Sequence, residues 1–143
     1  MKFYNREEEL SELSTLYDQS ADAGRMAVLT GRRRVGKTVL ALESAKSARH
    51  LYLFVSRKAE ALLCAEYLEE IRRQLPLPVI GEIRHFRDIF ALLIEQARSE
   101  RLTLIIDEFQ KFFTVNPAVY SELQNLWDRH KGTCKLNLIC IGS

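Results

Sequence analysis

Apolar residues along this 143-residue chain fall into two kinds of run. Four runs are short and nearly unbroken: Met26-Ala27-Val28-Leu29-Thr30, Leu51-Tyr52-Leu53-Phe54-Val55, Leu102-Thr103-Leu104-Ile105-Ile106 and Leu136-Asn137-Leu138-Ile139-Cys140-Ile141. Each reads as a strand, and the continuous apolar character of 51–55 suits a parallel sheet covered on both faces. The segments between them are longer, with apolar residues spaced three and four apart. Leu10, Leu13 and Tyr17, with Leu16 alongside, form one stripe over 6–18. Val39, Leu40, Leu42 and Ala45 form another that reaches about 48. Over 58–75 the stripe is Ala59, Leu62, Leu63, Tyr67, Leu68, Ile71 and Leu75. Phe86, Ile89, Phe90, Leu93 and Ala97 follow over 85–99, then Tyr120, Leu123, Leu126 and Trp127 after Pro117. A period near 3.6 predicts a helix for each.

End signals agree with these bounds. Asn5 is placed to cap the first helix, with Glu8 closing a capping box and Glu7, Glu8 and Glu9 facing the dipole. Residues 20–24 are small and polar and predict a turn. Glu69 and Arg73 are spaced as an i,i+4 pair, and Pro76 and Pro78 end that helix. Asn116 caps the last helix with Pro117 at its first position, and Arg129, His130, Lys131 and Gly132 close it. Strand and helix alternate throughout. Such alternation predicts a mainly parallel sheet with right-handed crossovers and helices on both faces, a three-layer α/β/α sandwich.

Composition narrows the class. Apolar residues make up 47% and charged residues 28%, as in ordinary soluble proteins, and the length suits one domain over 1–143. A net charge of +2 with no basic stripe gives no support for nucleic-acid contact. No apolar run approaches the roughly 20 residues that span a membrane. The N-terminus turns acidic at once and lacks a signal core, so the cytoplasm is the expected compartment. Cys64, Cys134 and Cys140 lack metal-ligand spacing, and Cys64 and Cys140 read as buried thiols. His50, His85 and His130 are scattered and read as structural or solvated.

One stretch carries specific chemistry. Gly31-Arg32-Arg33-Arg34-Val35-Gly36-Lys37-Thr38 fits the phosphate-binding pattern of Gly, four residues, then Gly-Lys-Ser/Thr. Its glycines let the backbone curl so that successive N–H groups face a phosphate. The helix that follows, from Val39 on, adds unpaired N–H groups and a positive dipole end. Lys37 reaches the outer phosphates, and the Thr38 hydroxyl suits Mg²⁺. Residues 31–39 are thus the expected nucleotide-binding set, preceded by a strand and followed by a helix as the motif requires. Arg32, Arg33 and Arg34 either add charge near phosphates or stand partly solvated.

Ligands in open α/β sheets sit beyond the carboxyl ends of the strands. Asp107-Glu108 follows a buried-type strand there, in the form of a Walker B pair. Asp107 is the second candidate for Mg²⁺, and Glu108 the candidate base for a water attacking the γ-phosphate. The bland alternative is a solvated acidic turn. Ser143 ends the fourth strand, where it either touches the γ-phosphate or is a plain turn serine.

GRRRVGKT from Gly31 to Thr38, LIIDEFQ from Leu104 to Gln110 and ICIGS from Ile139 to Ser143 resemble the AAA-type ATPase family common in archaea and bacteria. This is the archaeal-ATPase-like group, related to the STAND branch of P-loop NTPases. Phe3-Tyr4-Asn5-Arg6-Glu7-Glu8-Glu9-Leu10 resembles that group's N-terminal motif, although Asn5 stands where Gly or Asp is commoner. The resemblance implies ATP rather than GTP, Glu108 as catalytic base, Lys37 on the phosphates and Ser143 as a polar sensor. It implies a strand order with the phosphate-loop strand beside the sensor strand and the acidic strand next. The Arg6 segment would lie near the adenine. Family members continue into a fifth strand, a helical lid and further domains, so the sheet is expected to be truncated after its fourth strand. A homo-oligomer, a partner protein, or DNA reached through absent domains are the partners so implied. Besides an Mg²⁺-dependent ATPase, a nucleotide-gated switch, a DNA-handling motor and a small-molecule kinase remain open readings.

Overall fold

A computed structural model of the chain describes residues 6–31, 36–76 and 81–143. The expectations placed on Asn5, Arg32, Arg33, Arg34, Val35 and Pro78 fall outside these residues, as does the side chain of Arg6.

Helix and strand alternate as the periodicity predicts: α1 (Arg6–Gln19), β1 (Arg25–Leu29), α2 (Lys37–Ala45), β2 (His50–Phe54), α3 (Glu60–Gln74), α4 (Phe86–Gln96) and β3 (Leu102–Asp107). A 3₁₀ turn (Phe109–Lys111) and the short α5 (Phe112–Val115) then lead into α6 (Ala118–His130) and β4 (Leu136–Ile141). Among the described residues the four strands form one parallel sheet in the order β1-β4-β3-β2. The phosphate-loop strand is therefore beside the fourth strand, with the acidic strand next, as the family resemblance implies. Because every strand runs the same way, all four carboxyl ends lie on one edge of the sheet.

The central strands β3 and β4 are buried at every position. On one face Ile105, Ile139 and Ile141 meet Leu13 of α1 and Leu40, Ala41 and Ala45 of α2. The other face carries the larger core. Leu104, Ile106, Leu136, Leu138 and Cys140 pack there against α3, α4 and α6, through Ile71, Phe90, Leu93, Leu123 and Trp127. Phe86 and Phe112 meet with ring centroids 4.8 Å apart and close this core under the sheet edge that carries the site.

Several expectations are corrected. β2, expected to be covered on both faces, is an edge strand whose burial alternates, with Phe54 45% exposed. β1, the other edge, alternates likewise: Val28 is 60% exposed, and its face with Met26 forms one wall of an apolar groove beside Trp127 and Leu123. Val39 is 56% exposed and leaves the stripe of α2. The buried positions Leu40, Ala41 and Ala45 cluster on one side, and Val39 lies half a turn away from their centre. Leu62 is exposed for the same reason, one step off the face formed by Leu63, Cys64, Tyr67, Leu68 and Ile71. Glu69 pairs with Arg72 at 3.5 Å and Glu70 with Arg73, so the expected Glu69–Arg73 pair is replaced by i,i+3 contacts. Such exposed pairs are worth at most about 1 kcal/mol.

Asn116 caps α6 as its position suggests: its Oδ1 accepts the N–H of Ala118 at 3.1 Å. It also donates from Nδ2 to Glu60 Oε1 (2.8 Å), while Glu60 Oε2 accepts the N–H of Phe86 (2.8 Å). One carboxylate thus ties the starts of α3, α4 and α6 together. The turn before β1 is pinned at Gly24, whose N–H donates to Lys131 O at 2.6 Å. A Cβ there would meet Trp127 at 2.9 Å, so glycine is required by packing.

Candidate functional site

The carboxyl end of β1 opens into the glycine-containing loop. Gly31 has φ 126° and Gly36 φ 70°, both in the region that favours glycine, and α2 starts directly after. This curl puts Lys37 at the first position of a helix whose leading N–H groups face outward past the sheet. Lys37 is only 8% exposed. Its Nζ donates to the Gly31 carbonyl and, at 2.9 Å, to the Gly142 carbonyl just beyond β4. The ammonium therefore bridges the mouth of the loop and the tip of the neighbouring strand.

Thr38 is the next residue on α2, and its Oγ1 donates to Asp107 Oδ2 at 2.7 Å. Asp107 ends β3 and is 4% exposed. A buried carboxylate needs donors, and among the described residues Asp107 has three. Oδ2 accepts from Thr38 and from the Tyr52 hydroxyl (2.5 Å), and Oδ1 accepts the N–H of Glu108 (2.8 Å). Tyr52 reaches it from β2 because the register pairs Tyr52 with Ile105 and Phe54 with Asp107. Side chains two apart on a strand share a face, so Tyr52, Ile105 and Asp107 all point toward α2. Burial first, then the hydrogen bond and the charge of Asp107, hold the Tyr52 phenol well above the ordinary tyrosine range. It stays a protonated donor at neutral pH.

Glu108 is the one non-glycine residue with positive φ among the described residues (φ 57°, ψ 41°). Left-handed backbone costs a side chain roughly 1–3 kcal/mol, and such strain clusters at functional sites. The bond from its N–H to Asp107 holds the conformation, which turns the Glu108 carboxylate back toward the following 3₁₀ turn. There Lys111 Nζ lies 3.2 Å from Oε1, and Gln110 Nε2 donates to the same oxygen at 3.3 Å. Lys111 also sits over the Phe54 ring, 5.1 Å from its centroid. Gln110 Oε1 accepts the N–H of Ser143 at 3.3 Å.

Gly36, Lys37, Thr38, Val39, Asp107, Glu108 and Ser143 line one open cleft, together with Phe54, Lys111 and Ile141. Most of the residues singled out in the sequence are thus brought together. Ser143 is at the rim and exposed. Sequence reasoning missed Tyr52, Gln110 and Lys111. For Tyr52 the signal existed in the register of β2 on β3, which spacing along the chain does not reveal. Lys111 lies three residues after Glu108, and only the 3₁₀ turn folds it back onto the carboxylate.

The donor set fits a hard cation. A hydroxyl and a carboxylate, with room for phosphate oxygens and water, suit Mg²⁺, which seldom takes an all-protein cage. Among the described residues no group of three or more His, Cys, Asp or Glu forms such a cage. All three cysteines are buried elsewhere. No helix among the described residues is long and apolar enough to cross a membrane.

A family profile described as an ATPase domain predominantly from Archaea matches residues 3–143. An uncharacterized protein of Methanocaldococcus jannaschii is 30% identical over 141 residues, covering 99% of this chain and 29% of the relative. The chain therefore spans less than a third of that protein's length. A second uncharacterized protein of the same organism is 34% identical over 56 residues, 39% of this chain and 54% of its own length. Among solved structures, Cdc6p from Pyrobaculum aerophilum aligns with TM-score 0.66 at 22% identity, covering 99% of this chain and 39% of that one. A Walker-type ATPase of Pyrococcus abyssi aligns with TM-score 0.64 at 18% identity, covering 92% and 44%. At those identities the structural likeness establishes the fold, that of the P-loop ATPase domains.

Proposed function

The chain belongs to the family of ATPase domains predominantly from Archaea, and from that premise we propose that it binds ATP with Mg²⁺ and hydrolyses the γ-phosphate bond to drive a conformational change. One observation carries the reading. A poorly exposed lysine at the start of a helix, and the hydroxyl beside it bonded to the buried acid that ends β3, meet at the mouth of a single cleft.

Each residue has a separable task. The backbone of residues 31–36 and the N-terminus of α2 cradle the phosphates, with Arg32, Arg33, Arg34, Val35 and Val39 completing the surround. Lys37, now bonded to two carbonyls, exchanges them for phosphate oxygens and neutralises charge as it builds up. Thr38 and Asp107 are the residues that would hold Mg²⁺, which when bound offsets charge on the β- and γ-phosphates. Glu108 orients a water and takes its proton. Ser143 offers a polar contact to the γ-phosphate or to that water.

The test uses the whole chain. Lys37→Ala is expected to abolish ATP binding measured by calorimetry, with the fold retained by circular dichroism. Unchanged ATP affinity in Lys37→Ala overturns the proposal.

A nucleotide-gated switch with little hydrolysis is a second reading, favoured by the contacts that engage Glu108 through Lys111 and Gln110. Single-turnover phosphate release separates the two: a switch holds ATP intact for many minutes. The longer relative leaves room for a partner protein, self-association or DNA contact outside this stretch, and a salt titration of DNA binding tests the last. The cytoplasm remains the proposed compartment.

A further inference from the structure

We infer that Tyr52 is a positioning residue for metal binding: its hydroxyl fixes the rotation of the Asp107 carboxylate and so sets how tightly the site takes Mg²⁺ with nucleotide. The inference rests on the ATP–Mg²⁺ reading given above. Asp107 Oδ2 accepts two hydroxyls, and they differ in kind. Thr38 lines the cleft and is itself proposed to meet the metal. Tyr52 does not line the cleft. It stands on β2 opposite Ile105, half-buried against the core cluster on the α1 and α2 side of the sheet, with its bond to the acid at 2.5 Å. It is therefore a donor that need not be surrendered when a cation arrives.

The chemistry of the position supports the same role. Packing alone is served by phenylalanine, which β2 carries two residues later at Phe54. A half-buried hydroxyl costs free energy unless it is bonded, and this one is bonded to the acid at the tip of β3. Of the other two donors, the Glu108 N–H holds Oδ1, while Thr38 gives up its bond to Oδ2 if its hydroxyl turns to the metal. Tyr52 is then the donor that keeps Oδ2 in place and stops the carboxylate turning about its Cβ–Cγ bond. A pivoting carboxylate binds an octahedral cation less well, because Mg²⁺ demands near-ideal geometry.

Tyr52→Phe deletes the oxygen and keeps the ring. The readout is binding, not turnover: affinity for a fluorescent N-methylanthraniloyl ATP, first in EDTA and then across a MgCl₂ titration. Tyr52→Phe is expected to match the natural chain's affinity in EDTA, to melt somewhat earlier because buried Asp107 loses a donor, and to need roughly tenfold more Mg²⁺ for half-maximal tightening, the low end for one hydrogen bond to a charged group. In an Asp107→Asn background the same change is expected to have no effect. An unshifted Mg²⁺ midpoint, a midpoint shifted to lower Mg²⁺, or a shift that persists without the Asp107 carboxylate overturns the inference. Loss of binding in EDTA with early melting assigns the hydroxyl to the fold and overturns it as well. If the natural chain binds no nucleotide with or without Mg²⁺, the ATP reading itself fails, a result visible before any variant is made.

Discussion

Glu108 combines the features of a reacting group under restraint. Its backbone is strained, its N–H is bonded to Asp107, and its carboxylate is engaged by Lys111 and Gln110. Strain of this size persists only where surrounding contacts over-determine it, and here they come from Asp107 before it and from Gln110 and Lys111 in the turn after it. If Glu108 takes the proton from water, Glu108→Gln keeps the shape and loses the base. The expected outcome is unchanged ATP affinity with single-turnover phosphate release slowed roughly 10²–10⁴-fold, the usual contribution of a general base. Hydrolysis at the original rate removes Glu108 from that role. At this scale the site was partly legible. Gly31, Gly36, Lys37 and Thr38 announce themselves because a phosphate loop is a contiguous object, and Asp107-Glu108 because two acids end an apolar run. Tyr52 was unreadable, since its partner lies 55 residues away and is reached only through strand register.

Strands differ in what they tolerate, and the difference follows from position in the sheet. Ile106 is fully buried on β3 between Leu53 and Cys140, whereas Val28 on the edge strand β1 is mostly exposed. Ile106→Ala is expected to cost about 2–5 kcal/mol and Val28→Ala less than about 1 kcal/mol in urea unfolding. Equal costs would contradict the assignment of β1 to the edge. The helix start at Asn116 offers a second check. Asn116→Ala removes both the cap of α6 and a partner of Glu60, and is expected to lower stability by about 1–2 kcal/mol without loss of nucleotide affinity. At the element scale periodicity read type and order well. It misjudged Val39 and Leu62, because an apolar residue just off a stripe looks, in one dimension, like a member of it. It also passed over the 3₁₀ turn and α5, whose few residues are too short to show a period.

Over the whole molecule, the two faces of the sheet are unequal, and all three thiols lie buried within it. Burial pushes the Cys64 and Cys140 thiols up to about 12, and Cys134 upward as well. The thiolate is the reactive form. The folded chain is therefore expected to resist Ellman's reagent at pH 8 and to yield all of its thiols once unfolded in guanidinium chloride. Rapid labelling of the native chain would place a cysteine at the surface. The same shifts have a sign in stability. A thiol raised in the folded state contributes stability that is fully present below the ordinary thiol range. That stability is lost as pH rises from there through about 12. Urea midpoints are thus expected to fall on the alkaline side of pH 9, and a rise there would contradict the burial.

The amino-acid order alone determined the types and succession of the longer elements and placed the phosphate-loop and acidic motifs at two of the strand ends. Those properties arise from neighbours within a turn or a short loop, where spacing along the chain equals spacing in space. Only the folded sheet decided which faces of the edge strands β1 and β2 stay exposed, which hydroxyls clamp Asp107, and which cation faces Glu108. Each of these depends on register and lateral order between segments far apart in the chain. Burial energy sets those relations jointly for the whole core, so no single segment records them.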